Sequence, residues 1–71
     1  MHLYERIYLD LRRLVEEGEV RPGERLPSIR EAARKYGCNK LTAQKAYALL
    51  SAAGLAENRG GSGSFALPPG S

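Results

Sequence analysis

Lys40, Leu41, Gln44 and Lys45 are the side chains best placed to give this 71-residue chain its chemistry. At about 100° per residue they leave the first turns of one helix, away from Ala43, Ala46, Tyr47 and Leu50. Two ammonium groups, a carboxamide and an isobutyl group make no nucleophile and no general base. They are groups for hydrogen bonds and close apolar contact. A carboxamide can pair with the N6 and N7 edge of adenine, and an outward leucine can meet a thymine methyl. Further along, the outward face carries only Ala48 and Ala52, short enough for the helix to lie close inside a wide groove. Covalent chemistry has little material elsewhere. His2 is the single histidine and Cys38 the single cysteine, so neither a Ser/His/Asp or Cys/His set nor a four-ligand zinc site can be assembled. No enzyme, metal or cofactor is expected.

The elements that must position these side chains are written in caps and turns. Asn39 is an N-cap type and Gly54 an exit glycine, which predicts a helix over 39–53. Ser28-Ile29-Arg30-Glu31 is a capping box, so a second helix starts at Ile29, with Ile29, Ala32, Ala33 and Tyr36 inward and Gly37 at its end. Only Gly37, Cys38 and Asn39 separate the two helices, the spacing of a helix-turn-helix. Cys38 reads as a small hydrophobe stapling the third helix start. Ahead of them, Leu3, Ile7, Leu11 and Leu14, with Tyr4 and Val15, form the stripe of a first helix ending at Gly18. Leu9 lies opposite that stripe and reads as an ordinary exposed leucine.

Pro22-Gly23 fits the centre of a type II turn, and Arg25-Leu26 an edge strand. Leu55–Asn58 and Ser64–Leu67 bracket Arg59-Gly60-Gly61-Ser62-Gly63 as a hairpin with a glycine-rich tip. That tip lacks the Lys-Ser/Thr and following helix of a phosphate-binding loop. The expected fold is mainly α with a small β-hairpin: three helices plus a wing, one domain over residues 1–67, with 68–71 a linker or chain end.

Charge is unevenly placed. Residues 1–33 hold six basic and seven acidic groups, whereas residues 34–71 hold five basic groups against Glu57 alone. The half that contains the proposed reader is therefore the positive one, and it would attract a polyanion in a salt-dependent way. No apolar run approaches the roughly 18 residues of a membrane span, and no signal-peptide pattern opens the chain. A cytoplasmic protein that does not engage membranes is expected.

With the parts in order, Arg21-Pro22-Gly23-Glu24-Arg25-Leu26-Pro27-Ser28-Ile29-Arg30-Glu31-Ala32-Ala33 and the run from Gly54-Leu55 through Gly61-Ser62-Gly63-Ser64-Phe65 resemble the GntR-family winged helix-turn-helix of bacterial transcription regulators. The resemblance spans roughly residues 3–67. Ala46-Tyr47 and the Gly-Ser-Gly-Ser-Phe wing are similar to the YtrA-like or MocR-like subgroups. It implies sequence-specific binding of double-stranded DNA, with the 39–53 helix in the major groove and the 58–65 wing on the adjacent backbone or minor groove. It also implies a repressor that is a homodimer on a palindromic operator, with a C-terminal dimerisation and effector domain outside this chain; the isolated 71 residues could be monomeric.

Carried over by position, the family's DNA contacts fall on Arg30 at the start of the second helix, on Asn39, Lys40, Thr42 and Gln44 in the reader, and on Arg59, Gly60, Gly61 and Ser62 in the wing. Leu41 and Lys45 join them from the helix geometry alone. The chain departs from the pattern at Gln44, where many members carry a basic residue, and at Arg59-Gly60, where many carry two arginines before the glycine. The competing reading is a winged helix that binds protein instead of DNA, which would need an exposed apolar patch.

Overall fold

The computed structural model describes residues 2–68. The expected linker or chain end at 68–71 falls outside them apart from Pro68. The chain runs α1 (Leu3–Glu16), α2 (Ile29–Tyr36), α3 (Lys40–Ala52), β1 (Ala56–Asn58) and β2 (Ser64–Ala66), with one 3₁₀ turn at Gly60–Ser62 between the strands. Three helices and a wing are what the sequence predicts.

Local chemistry explains each boundary. At α1 the His2 backbone N–H donates to Glu5 Oε1 at 2.8 Å, and Gly18 takes a φ of 79° just past the helix end. The Ser28/Glu31 capping box forms in both directions: Ser28 Oγ accepts from Glu31 N at 3.0 Å, and Glu31 Oε1 accepts from Ser28 N at 2.9 Å. The Ser28 backbone N–H, and after it the Ser28 hydroxyl, favour the ionised form and hold the Glu31 carboxyl below the usual range. Gly37 closes α2 in the left-handed region, where only glycine sits without strain. Asn39 then caps α3, its Oδ1 accepting from Thr42 N at 2.9 Å and from Thr42 Oγ1 at 3.1 Å.

One core joins the helices to the wing. Ile7, Leu11 and Val15 of α1, Ala32 and Ala33 of α2, Ala43, Ala46, Tyr47 and Leu50 of α3, and Leu55, Ala56 and Ala66 around the hairpin are all buried. The alanines on α2 and α3 let these two helices approach closely, as their small side chains require little separation. Cys38 is half-buried at the margin of this core. Two tyrosines tie the helices by their hydroxyls. Tyr36 donates to Asp10 Oδ2 at 2.7 Å, joining α2 to α1, and Tyr47 donates to the Pro27 carbonyl, joining α3 to the segment before α2.

The first helix departs in one respect from the expected stripe. Leu3 is 41% exposed while Val15 is buried. Eight residues separate Leu3 from Leu11, which rotates Leu3 about 80° off the Ile7–Leu11–Val15 seam, toward solvent at the helix start. Tyr4, which stacks on His2, takes the place against the core margin that the stripe assigned to Leu3. Leu9, also 41% exposed, faces out as expected.

The wing is broader than a hairpin. Strands β1 and β2 pair antiparallel with Ala56 opposite Ala66, Glu57 opposite Phe65 and Asn58 opposite Ser64. The segment after the Pro22-Gly23 turn lies on the other side of β2: Ala66 N donates to Glu24 O at 2.9 Å and Leu26 N to Ser64 O at 2.8 Å. The expected Arg25-Leu26 edge strand is thus a single bridge, Arg25 to Phe65, that anchors the wing to the helix-turn-helix.

Candidate nucleic-acid interface

The expected site residues lie on α3, at the start of α2 and in the wing, and of these Gln44 of α3 faces the wing across a shared groove. Leu41 is 70% exposed, and Lys40, Gln44, Lys45 and Ala48 are exposed with it. Gln44 and Ala48, together with Ile29, Tyr47, Ser51, Asn58 and Ser64, line a groove of about 310 Å³ between α3 and the wing. The groove joins part of the reader face, Gln44 and Ala48, to the wing at Asn58 and Ser64.

The cations in this region differ in what already holds them. Arg30 and Lys40 make no ion pair among the described residues and are exposed. Lys45, on the other flank of α3, lies with Nζ 5.4 Å from the centroid of the Tyr4 ring. Arg59 donates to Glu57 Oε2 at 3.0 Å and stacks at 4.4 Å on the Phe65 ring. Asn39 and Thr42 have their side-chain oxygens committed to the helix cap. Gly60, Gly61 and Ser62 form the exposed tip, where Gly60 N donates to Asn58 Oδ1 at 3.0 Å.

Sequence reasoning missed three groups. Ser51 continues the Gln44–Ala48 row one turn on, a spacing of three and four residues that was legible as a helical row. Asn58 precedes the tip by two residues, the Asx-turn spacing, and caps the Gly60 amide. Arg25 had no such signal. It lies across Gly63, and a Cβ added there would stand 3.0 Å from the guanidinium Nε. Among the described residues no cluster of His, Cys, Asp or Glu could hold a metal ion. Among the same residues no helix is long and apolar enough to cross a membrane.

A family model for bacterial regulatory proteins of the gntR family matches residues 3–66. The chain belongs to the GntR family. As such it is a winged helix-turn-helix of the DNA-binding kind that bacterial transcription regulators of this family carry. It is 36% identical over 63 residues to the HTH-type transcriptional repressor YtrA of Bacillus subtilis strain 168, covering 89% of this chain and 48% of that protein. A GntR family transcriptional regulator from Listeria monocytogenes superposes with a TM-score of 0.86 at 28% identity, over 94% of this chain and 59% of that one. The DNA-binding domain of AraR in complex with operator ORR3 shares the fold, with a TM-score of 0.85 at 24% identity over 89% of this chain and 76% of that one. The chain spans about half the length of the curated relatives it matches.

Proposed function

We infer that this GntR-family domain reads an operator in double-stranded DNA, with α3 in the major groove and the 58–65 wing on the adjacent backbone or minor groove. One observation carries the reading. The outer face of α3 is alanine at Ala48, while Gln44, Lys40 and Leu41 project from its first turns and Arg30 stands unpaired at the start of α2. A helix so trimmed can enter a wide groove and bring its carboxamide to base edges. Arg30 and Lys40 are assigned to phosphates, Gln44 and Leu41 to bases, and Gly60–Ser62 to close backbone approach. Asn39 and Thr42 act indirectly, by holding the first turn of α3 in place. Lys45 is assigned to a phosphate at the edge of the groove.

By likeness to YtrA, a transcriptional repressor, we assign the domain to repression; to this we add, as our own reading, a cytoplasmic, nucleoid-associated homodimer on a palindromic operator. The exposed large hydrophobics are Leu3 and Leu9 on α1 and Leu41 and Leu49 on α3; a protein-binding reading would rest on these four. Amide chemical-shift mapping with a mixed-sequence duplex tests the proposal. Shifts are expected at residues 29–31, 39–45 and 59–62. Shifts confined to the outer face of α1 would overturn it.

A further inference from the structure

Arg59 is the cation nearest the wing tip, and in the unbound chain it is already engaged. Its guanidinium holds Glu57 at 3.0 Å and lies over Phe65 at 4.4 Å. Strand register explains why these three meet: Glu57 and Phe65 are directly opposed across β1 and β2, so their side chains share one face of the wing. The tip backbone is fixed around them, with Arg59 N donating to Gly63 O at 2.8 Å and Asn58 Oδ1 accepting from Gly60 N at 3.0 Å. Glu57 is also the sole acidic residue after Glu31 in the sequence, an isolated negative charge in the positive half of the chain.

We propose that Glu57 is an intramolecular competitor of DNA for Arg59, a carboxylate occupying the guanidinium face that a phosphate would take. The proposal rests on the DNA-binding reading above. Both partners are about half-exposed, at 50% and 51%, so the pair is exchangeable and weak, as solvent-exposed ion pairs are. The Phe65 stack need not break in the exchange, which keeps the arginine flat and aimed while its anion changes. Even a phosphate bound only through the Nη groups would lie beside the Glu57 carboxylate, and like charges at that range repel. Glu57 therefore lowers the affinity of the wing for any DNA backbone, leaving tight binding to depend on what α3 reads.

The test is fluorescence anisotropy of a labelled mixed-sequence duplex with the wild-type chain, Glu57→Gln, Arg59→Gln and the double variant. Glu57→Gln is expected to tighten binding about two- to fivefold at low salt, the scale of an exposed ion pair. It should also steepen the fall of log K with log salt by up to about 0.9, one phosphate more. In the Arg59→Gln background the gain should vanish. Unchanged or weaker binding by Glu57→Gln overturns the proposal, as does an equal gain without Arg59, which would mean general repulsion. If neither the wild-type chain nor two copies of it joined by a flexible linker bind DNA at low salt, the DNA-binding reading falls and the proposal with it; if either binds, the same variants are compared in that form and those outcomes remove the proposal alone.

Discussion

Asn39 Oδ1 is held by Thr42 N and Thr42 Oγ1 at the start of α3, whereas the Gln44 carboxamide is exposed one turn on. Gln44→Ala should therefore flatten discrimination at one operator position by ~1–3 kcal/mol, read by binding to a set of single-base variants of a selected site; an equal loss on every sequence would make it a backbone contact. Tyr47 makes a second prediction, this one about stability. Its hydroxyl is pushed up to about 12, chiefly by burial. A folded value raised above the unfolded one of ~10 contributes stability that is full below pH ~10 and lost as pH rises through the folded value. Alkaline unfolding between pH ~10 and ~12 should thus be shallower in Tyr47→Phe, although Tyr36, also raised to about 12, will keep part of it. At this scale the sequence was readable wherever a residue's role is set by near neighbours, as for Asn39 and Ser28. It named Arg59 but was silent on its contacts, because Glu57 and Phe65 come together only through strand register, and on Arg25, whose place across Gly63 depends on the wing folding back.

At the scale of elements, the capping box of α2 orients both Arg30 and the turn leading into the reader. Ser28→Ala should cost about 1 kcal/mol of stability, visible in urea unfolding, because Glu31 N loses its acceptor. The lowered Glu31 carboxyl adds a sign: its contribution is present above the unfolded value and lost as pH falls through the folded one. The acid limb of the stability curve should be flatter in Glu31→Gln. In the wing, Gly63 adopts φ 99° and ψ −163°, a region nearly closed to other residues, and its missing Cβ leaves room for Arg25. Gly63→Ala should cost ~1–3 kcal/mol and loosen the tip while amide shifts in α3 stay put. Periodicity located all three helices, and glycines located their ends, since both signals are local. It misplaced Leu3, because a stripe near a helix start can be counted on either side of the seam that packing selects. It also showed only half the wing, whose third segment joins β2 across a separation of about forty residues in sequence.

For the whole molecule, 71 residues support a small core that reaches from α1 to the wing, so α3 and the wing tip are held by one packing unit. That rigidity lets a concave edge keep its shape when DNA approaches. The uneven charge, with the acidic groups largely ahead of residue 33, orients the domain in the field of a polyanion. Because the chain spans about half of its relatives, its affinity as a monomer should be modest, and joining two copies through a flexible linker should raise it by ~10²-fold or more on a two-site duplex. The central claim, that the face built from Arg30, α3 and the wing binds the DNA backbone and bases, is tested most directly by salt. Anisotropy of a mixed-sequence duplex should show binding by the wild-type chain at low salt, with log K falling linearly against log salt at about 0.9 per phosphate neutralised. Arg30→Ala should lower that slope by about one phosphate. Absence of binding at the lowest salt by both the single chain and the joined pair would contradict the account.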